Sequence, residues 1–156
     1  MSGESVREYL KQWKKDDSII EMEESTATVQ MAADALGTLP AHIAKTLSFY
    51  DKNGALLIVA AGDSKIDNQK FKEKFGFKAK MLSSEDVKAL TGHEIGGVCP
   101  FDIPEKVCVY LDISLKRFET VFPACGSSNS AIKLTICELE TYSRFTEWVD
   151  VCKGWE

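Results

Sequence analysis

Several patterns that mark common enzyme and secreted-protein classes are missing from this sequence. It has two histidines and neither an H-x-x-x-H nor an H-x-E pattern, which argues against a catalytic metal site. It also has no G-x-S-x-G elbow and no phosphate-binding P-loop. The cysteines are odd in number and form no C-x-x-C pair, so neither a disulfide framework nor a zinc site is predicted; they are Cys99, Cys108, Cys125, Cys137 and Cys152. We therefore expect reduced cysteines, no metal and no cofactor.

A long hydrophobic run is also absent. No stretch of about 18 apolar residues is available to cross a membrane, and Met1-Ser2-Gly3-Glu4 does not begin a charged-then-apolar secretory leader. With 156 residues, 44% of them hydrophobic, the chain can bury a core of its own. We expect a single compact domain over residues 1–156, located in the cytoplasm and without membrane contact.

Positive charge is scarce overall but concentrated locally. The net charge of −5 argues against a protein that wraps nucleic acid, because such proteins neutralise several phosphates with a basic face. A nucleic acid that contacts the protein only through one end is still compatible with this charge. Six lysines fall within one short segment: Lys65, Lys70, Lys72, Lys74, Lys78 and Lys80. They form either the solvated face of a helix or a docking patch for a phosphate backbone.

Hydrophobic periodicity alternates between helical and strand patterns along the whole chain. We predict about five main helices, at 6–13, 26–36, 67–75, 83–92 and 135–152, with a further short helix opened by Pro40. About seven strands are predicted, at 18–22, 45–50, 55–61, 79–82, 107–111, 120–124 and 131–136. The turn residues 51–54 predict that the second and third strands are antiparallel neighbours. Interleaved elements of this kind favour an α/β domain on a mixed sheet.

The segment 91–101 combines a helix stop, two glycines and a proline. Gly96 and Gly97 permit φ > 0 or a close approach to the main chain, and Pro100 fixes its own φ and favours an extended Cys99. Successive N–H groups in such a loop can form a concave site for an anion or a carbonyl group. Short glycine motifs also occur in ordinary connections, so the loop alone leaves both interpretations open.

Lys45 is the ionisable residue with the most unusual position. Strand side chains alternate, so Lys45 shares a face with Leu47 and Phe49, and its ammonium group ends an apolar row. A lysine in this place either extends to solvent from the sheet edge or points into a cleft.

Side-chain nucleophiles have weaker support. His93 could act as a base toward a Cys99 thiolate, but glycines separate the two and no third residue is evident to orient the imidazole. His42 is expected in a surface or packing role. Asp112 ends a predicted strand, where accepting hydrogen bonds from the next turn is favoured over facing a cleft. If the protein is an enzyme, we expect its chemistry to rely on backbone groups.

Several short motifs follow one another along the chain from about Thr26 to Leu139. They are Ala27 to Gly37, Ala44-Lys45-Thr46-Leu47, Val59-Ala60-Ala61-Gly62-Asp63, Thr91-Gly92, Gly96-Gly97-Val98-Cys99-Pro100-Phe101, Leu111-Asp112, and Cys125-Gly126 before Ala131. Each motif is weak alone, whereas their order and spacing together are specific. In this order and spacing the chain resembles the YbaK/prolyl-tRNA-synthetase-associated domain family of aminoacyl-tRNA editing proteins, in its free-standing form.

The resemblance implies a single domain around a mixed, strongly curved sheet that hydrolyses the ester between a wrong amino acid and the 3′-terminal adenosine of a tRNA, most often proline tRNA. It implies catalytic positions at Lys45, Gly96, Gly97 and Gly126. It implies substrate contacts at Thr26, Thr28, Val98, Cys99, Pro100 and Asp112, with small residues near Thr26 and Thr28 limiting which amino acid fits. In the family, catalysis is attributed to water or substrate groups that the backbone positions, and no side chain acts as the nucleophile.

We therefore expect a deacylase that acts in trans on the acceptor end of a mischarged tRNA, with a small wrong amino acid such as cysteine, alanine, serine or threonine. A synthetase that presents the tRNA is a further expected partner. One alternative is a non-catalytic module that binds the tRNA end or aminoacyl-adenosine. A less favoured alternative is a cysteine-dependent hydrolase.

Overall fold

The computed structural model describes residues 2–52 and 54–155. Within them lie five α-helices: α1 Ser2–Leu10, α2 Val29–Leu36, α3 Asn68–Phe75, α4 Ser84–Thr91 and α5 Ile136–Ser143. The strands are β1 Ile20–Glu21, β2 Ile43–Asp51, β3 Gly54–Ala61, β4 Lys65–Ile66, β5 Cys108–Asp112, β6 Thr120–Pro123, β7 Ser130–Ala131, β8 Leu134–Thr135, β9 Glu147–Val149 and β10 Cys152–Lys153. Short 3₁₀ helices occupy Lys11–Trp13, Asp16–Ser18, Pro40–His42 and Ile113–Arg117.

Six strands form a strongly curled mixed sheet in the order β8-β6-β2-β3-β5-β9. The antiparallel pair of β2 and β3 is the longest, with Lys45 opposite Ala60 and Asp51 opposite Gly54, as the turn signal predicts. The predicted turn residue Asn53 lies outside the described residues. β6 runs parallel to β2, and β5 runs parallel to β3. The expectation of an α/β fold on a mixed, strongly curved sheet is confirmed.

The central strand β3 is covered on both faces. Its residues 55–61 are all nearly inaccessible to solvent, and alternate side chains enter two different clusters. Leu57 and Val59 pack with residues of α1 and α5, whereas Leu56 and Ile58 pack with Phe71 of α3 and with the end of the chain. The sheet therefore separates the helices into two layers, as expected for an α/β architecture.

The predicted ends of α2, α3 and α4 and the predicted start of α5 are confirmed by their capping geometry. Gly37, Gly76 and Gly92 follow α2, α3 and α4 with φ values of 66°, 83° and 81°, the left-handed conformation that glycine adopts without a Cβ penalty. At the start of α5, Thr135 and Glu138 form the predicted capping box, with reciprocal bonds of 3.1 and 2.9 Å.

The end of the chain departs from the prediction of one long helix over 135–152. α5 stops at Ser143, because Arg144 adopts φ 51°, and the chain continues as β9 and β10. β9 pairs parallel with β5, and β10 pairs with β4. The apolar spacing of Phe145, Val149 and Cys152 fits a helix, but the aromatic and β-branched residues among them also suit strands, and pairing with the sheet decides the outcome.

Three predicted strands are also shorter than expected. The first of them, 18–22, is reduced to β1 Ile20–Glu21, because Asp16–Ser18 forms a 3₁₀ helix. The segment 79–82 contributes a single bridge, from Met81 to Phe49. The predicted strand 131–136 is divided between β7 and β8. Across residues 2–52 and 54–155, no helix is long and apolar enough to span a membrane. In the same ranges, no three His, Cys, Asp or Glu side chains are grouped to hold a metal ion.

Candidate active site

A cleft of about 350 Å³ opens beside β2. Its first wall, which we call the strand wall, consists of residues 43–48 of β2 with Phe122 and Ala124. The facing loop wall consists of residues 26–29 and of Ile95, Gly96 and Val98. Met81, Leu82, Val87, Ala32, Ser130 and Ala131 complete the lining. Most of the lining residues are apolar and several are small, whereas the polar ones are hydroxyl residues and Lys45.

The strand wall contains an open stretch of sheet edge. β6 pairs with β2 only at Ile43 and Ala44, and the segment 80–82 bonds to β2 further along, at Ser48 O (3.1 Å) and Tyr50 N (2.9 Å). Because peptide groups along a strand alternate between its two neighbours, Thr46 points to the same edge as Ser48 and Tyr50. The Thr46 N–H and C=O therefore face the cleft at a point between the two flanking segments.

The Thr46 side chain is also unusual. Its Oγ1 is buried and has no hydrogen-bond partner among the described residues, although buried hydroxyls are normally paired. Ser48 and Ser130, two further hydroxyl residues of the lining, are largely buried. The Ser130 hydroxyl is paired with Ser127 Oγ at 2.6 Å, which leaves the Thr46 peptide and hydroxyl as the candidates for binding a polar ligand on this side.

The loop wall is held together by contacts between two segments distant in sequence. Thr26 N–H and Oγ1 both donate to Ser128 O, at 2.5 and 3.1 Å. Thr28 caps α2 by accepting from Met31 N at 3.1 Å. Gly96 has φ 88°, and a Cβ there would lie 2.9 Å from Ala27 Cβ. The absence of a side chain at Gly96 therefore allows the two parts of this wall to touch.

Gly97 and Gly126 lie behind this wall. A Cβ at Gly97 would come within 2.6 Å of Ser127 N and 2.7 Å of Gly126 C, closer than any ordinary contact. The Gly97 N–H donates to Glu94 O at 3.0 Å, within the loop itself. Gly126 adopts φ 90°. The absence of a side chain at Gly97 allows the two backbones to meet, and this contact fixes the position of the loop wall.

Lys45 reaches from β2 to the loop that follows β3. Its Nζ donates to Ser64 O, and the side chain is half-buried. Burial lowers the pKa of Lys45 below its usual value, and the nearby carboxylate of Asp63 partly opposes that effect. An ammonium group has three donors, so those not directed to Ser64 can bind an anionic or carbonyl oxygen of a ligand.

Cys99 and His93 form a buried pair away from the cleft lining. Cys99 Sγ lies 3.5 Å from His93 Nε2, and both residues have at most 1% of their surface exposed. His93 Nε2 is 2.7 Å from Phe101 O, a contact that requires Nε2 to carry the proton and to donate. Burial raises the pKa of Cys99 to about 12 and lowers the pKa of His93. Cys99 therefore faces a nitrogen that donates elsewhere and keeps its proton at neutral pH, whereas the basic lone pair of His93 is on Nδ1, which has no partner among the described residues.

Asp112 and Pro100 also lie outside the lining of the cleft. Asp112 is fully buried at the start of the 3₁₀ helix, where its oxygens accept from Ser114 N and Val151 N, each at 2.9 Å. Pro100 lines a second cavity, of about 430 Å³, with Asp102, Glu105 and Arg144 among others. Asp112 thus takes the turn role that its position at a strand end favours.

The family model described as the aminoacyl-tRNA editing domain matches residues 23–142. The chain belongs to this family. The match includes both walls of the cleft, and it leaves the extent of a single domain over residues 1–156 as a prediction.

Relatives agree with this membership of the editing-domain family. The uncharacterised protein YwhH of Bacillus subtilis (strain 168) is 55% identical over 157 residues, covering all of both chains. EbsC of Enterococcus faecalis (strain ATCC 700802 / V583), provisionally named a Cys-tRNA(Pro)/Cys-tRNA(Cys) deacylase, is 25% identical over 82% of this chain and 74% of its own.

Two crystal structures share the fold of this editing-domain protein. One, described provisionally as a trans-editing enzyme for prolyl-tRNA synthetase, has a TM-score of 0.87 and 28% identity and covers 98% of each chain. The hypothetical protein APE2540 has a TM-score of 0.79 and 27% identity, covering 93% of this chain and 99% of its own.

The structure brings together half of the ten predicted site residues. Lys45, Thr26, Thr28, Gly96 and Val98 line the cleft of the editing domain. The other five, Gly97, Gly126, Cys99, Pro100 and Asp112, do not line it.

Sequence reasoning missed the hydroxyls of Thr46, Ser48 and Ser130. A signal for the first two was present, because strand alternation places them together on the face opposite Lys45. That this part of the edge is open depends on pairing with β6 and with 80–82, which no local pattern reveals.

Proposed function

We propose that this protein is a trans-acting aminoacyl-tRNA deacylase, which hydrolyses the ester of a mischarged tRNA carrying a small wrong amino acid. The acceptor end of proline tRNA is the proposed substrate. The observation that carries the proposal is the cleft itself: an open β-edge at Thr46, whose buried hydroxyl has no partner among the described residues, Lys45 next to it on β2, and a closely packed loop opposite. Membership of the editing-domain family and the provisional name of EbsC support the choice of substrate class.

The reaction needs few catalytic groups. Water attacks the ester carbonyl, a tetrahedral intermediate carries the negative charge on the former carbonyl oxygen, and the ribose oxygen leaves with a proton. An aminoacyl ester is already activated, so holding the water and ester in line and donating hydrogen bonds to the oxyanion lowers the barrier sufficiently. In this proposal the Thr46 peptide group and the Gly96 loop position the ester. The Lys45 ammonium offsets developing charge or holds the terminal nucleotide.

Small residues around the cleft fit a size filter. Ala27, Ala32, Ala124 and Ala131 line it together with Gly96. An editing site hydrolyses the products that are small enough to enter it and excludes larger ones by steric clash. We propose that such a filter admits cysteine, alanine, serine or threonine esters.

A cysteine-dependent mechanism has little support from the position of Cys99. Its thiol is completely buried, is protonated at neutral pH, and faces a histidine nitrogen that donates elsewhere. The nucleophile of the proposed reaction is therefore water.

The test is a panel of proline tRNAs charged with cysteine, alanine, serine, threonine or proline and offered to the purified protein. We expect first-order loss of at least one small non-cognate ester, while Pro-tRNA survives. Slower loss of every ester than in buffer alone would show a protecting binder and would contradict the proposal.

A further inference from the structure

Next to Lys45, four half-buried groups lie in contact as a continuous row. The His42 and Phe118 ring centroids are 4.3 Å apart. The Arg117 guanidinium lies 4.7 Å from the Phe118 ring centroid and 5.0 Å from that of Trp155. We call His42, Phe118, Arg117 and Trp155 the stacking row. Each retains part of its surface open to solvent.

The guanidinium at the centre of the row is held in one orientation. Arg117 donates from both terminal nitrogens to Asp63, at 3.0 and 2.6 Å, and from Nε to Ser114 O at 2.9 Å. A planar group fixed in this way loses little further entropy when a flat ligand stacks nearby. The row is thus a preorganised surface with aromatic rings at both ends.

The surroundings of the row are more basic than the protein as a whole. Exposed Lys65 and Lys153 face each other across the β4–β10 pair, beside Trp155. Lys65 is also close enough to Lys45 to lower the pKa of that residue. Asp63, the carboxylate at the centre, is occupied by Arg117, and this contact lowers its pKa. In a chain with net charge −5, this local cluster suits an anionic ligand.

We propose that the stacking row binds the unpaired nucleotides that precede the terminal adenosine of the tRNA, an inference that rests on the proposed function. Aromatic rings with interleaved cations are the arrangement that binds single-stranded nucleic acid, because bases stack on the rings while cations contact phosphates. Lys45 lines the cleft and donates to Ser64 O, and the neighbouring Asp63 pairs with Arg117, so the middle of the row lies beside the cleft that would hold the terminal nucleotide. The row positions the strand and takes no part in the chemical step.

The first test compares two substrates that share the scissile ester. Trp155→Ala should weaken use of mischarged tRNA about 5- to 100-fold, the range for loss of one stacked base, mainly through KM. Hydrolysis of the corresponding aminoacyl-adenosine, which has no preceding nucleotides, should be unchanged. Trp155→Phe should restore most of the loss. His42→Ala provides a second variant, at the opposite end of the row.

Trp148→Ala is the matched control. Trp148 is also half-buried and lies under a cation, with Lys116 Nζ 4.5 Å from its ring centroid, but it is not part of the row. It should leave the ratio between the two substrates unchanged. Equal losses on tRNA and aminoacyl-adenosine in the Trp155 and His42 variants would overturn the inference while leaving deacylation established.

The second test does not depend on activity. A fluorescent single-stranded RNA ending in ACCA should bind the wild-type protein, and Trp155→Ala should weaken binding by a similar factor, whereas Trp148→Ala should not. If the RNA binds in a Trp155-dependent way but no ester is hydrolysed, the deacylase function is refuted and the stacking row is retained. Binding unaffected by both Trp155→Ala and His42→Ala would refute the stacking row, whether or not the ester is hydrolysed.

Discussion

The two walls of the cleft are built in different ways. In the loop wall, the known polar contacts serve the wall itself: Thr26 bonds to Ser128, Thr28 caps α2, and the Gly97 N–H bonds to Glu94 O. In the strand wall, the Thr46 peptide faces the cleft and its hydroxyl lacks a partner among the described residues. We therefore propose that the loop determines the shape of the cleft and that the strand supplies groups for chemistry.

This division changes the role expected for the glycines of segment 91–101. From the sequence, their N–H groups are expected to face the ester. In the structure, Gly97 is needed because a Cβ there would strike the backbone at 126–127. A shape role and a chemical role predict different effects on stability and turnover, so variants in each wall can separate them.

The largest effect is expected for Gly97→Val, directly behind the loop wall. The new side chain must push away the backbone of Gly126 and Ser127, which costs about 1–3 kcal/mol of folding free energy. Displacement of the wall should lower deacylation about 100-fold. Chemical denaturation and single-turnover deacylation measure the two effects.

Gly92→Val is the control for Gly97→Val. Gly92 has φ 81°, and a Cβ added there would meet nothing within 4 Å, so strain of roughly 1 kcal/mol is added without displacing the wall. Its turnover should stay near that of the wild type at a temperature where both proteins are folded. Normal turnover in Gly97→Val would show that the packing at 126–127 is irrelevant to the cleft.

The next largest effect is expected for Lys45→Ala in the strand wall. Loss of a charged donor should lower deacylation roughly 10- to 100-fold, the equivalent of one hydrogen bond to a charged group. Stability should change little, because the ammonium is half-buried and its burial already disfavours the charged form. Lys72→Ala, an exposed change on α3, is the control. Wild-type rates in Lys45→Ala would remove the ammonium from the mechanism.

Cys99→Ala should have a small effect on turnover. The thiol is buried behind the loop wall and its pKa is raised to about 12, so no thiolate is available at neutral pH. Turnover within about twofold of the wild type is expected, since no interaction with the transition state is removed. Alkylation of exposed Cys137 in the native protein should likewise leave activity intact. Abolished turnover in a folded Cys99→Ala variant would favour the cysteine hydrolase.

The smallest effect concerns the pH dependence of stability through His93. Burial lowers its folded pKa below the unfolded value of 6.5, so the unfolded state binds the proton more tightly. The stability that folding gains from a neutral His93 is therefore fully present above the unfolded pKa. It is lost as the pH falls below that pKa, with a slope of up to about 1.4 kcal/mol per pH unit.

Unfolding measured between about pH 7.5 and pH 5.5 checks this sign, since histidine titrates in that range. His93→Gln should flatten the decline. An identical pH slope in the wild type and His93→Gln would mean that burial does not perturb the imidazole.

Local signals in the sequence predict much of the fold. Gly37, Gly76 and Gly92 end their helices because glycine has no Cβ and adopts the left-handed conformation at little cost. The Thr135–Glu138 capping box involves only two residues that are three positions apart. The apolar residues of segment 145–152 fit both the helical and the strand periodicity, so the formation of β9 and β10 depends on their partners β5 and β4.

The candidate site is less predictable for the same reason. Lys45 can be identified because a charge in an apolar row is visible locally. The open edge at Thr46 and the contact of Gly97 with Ser127 depend on segments that meet only in the folded chain. The buried positions of Cys99 and Asp112 also follow from tertiary packing, which motif spacing does not encode.

The most direct test of this division of labour is single-turnover deacylation of one mischarged proline tRNA by four variants in parallel, each confirmed to be folded. We expect Gly97→Val and Lys45→Ala to lose most of the rate, and His93→Ala and Cys99→Ala to retain it. Loss of activity in His93→Ala and Cys99→Ala, with normal rates in the other two, would contradict a cleft whose shape comes from the loop and whose chemistry comes from the strand.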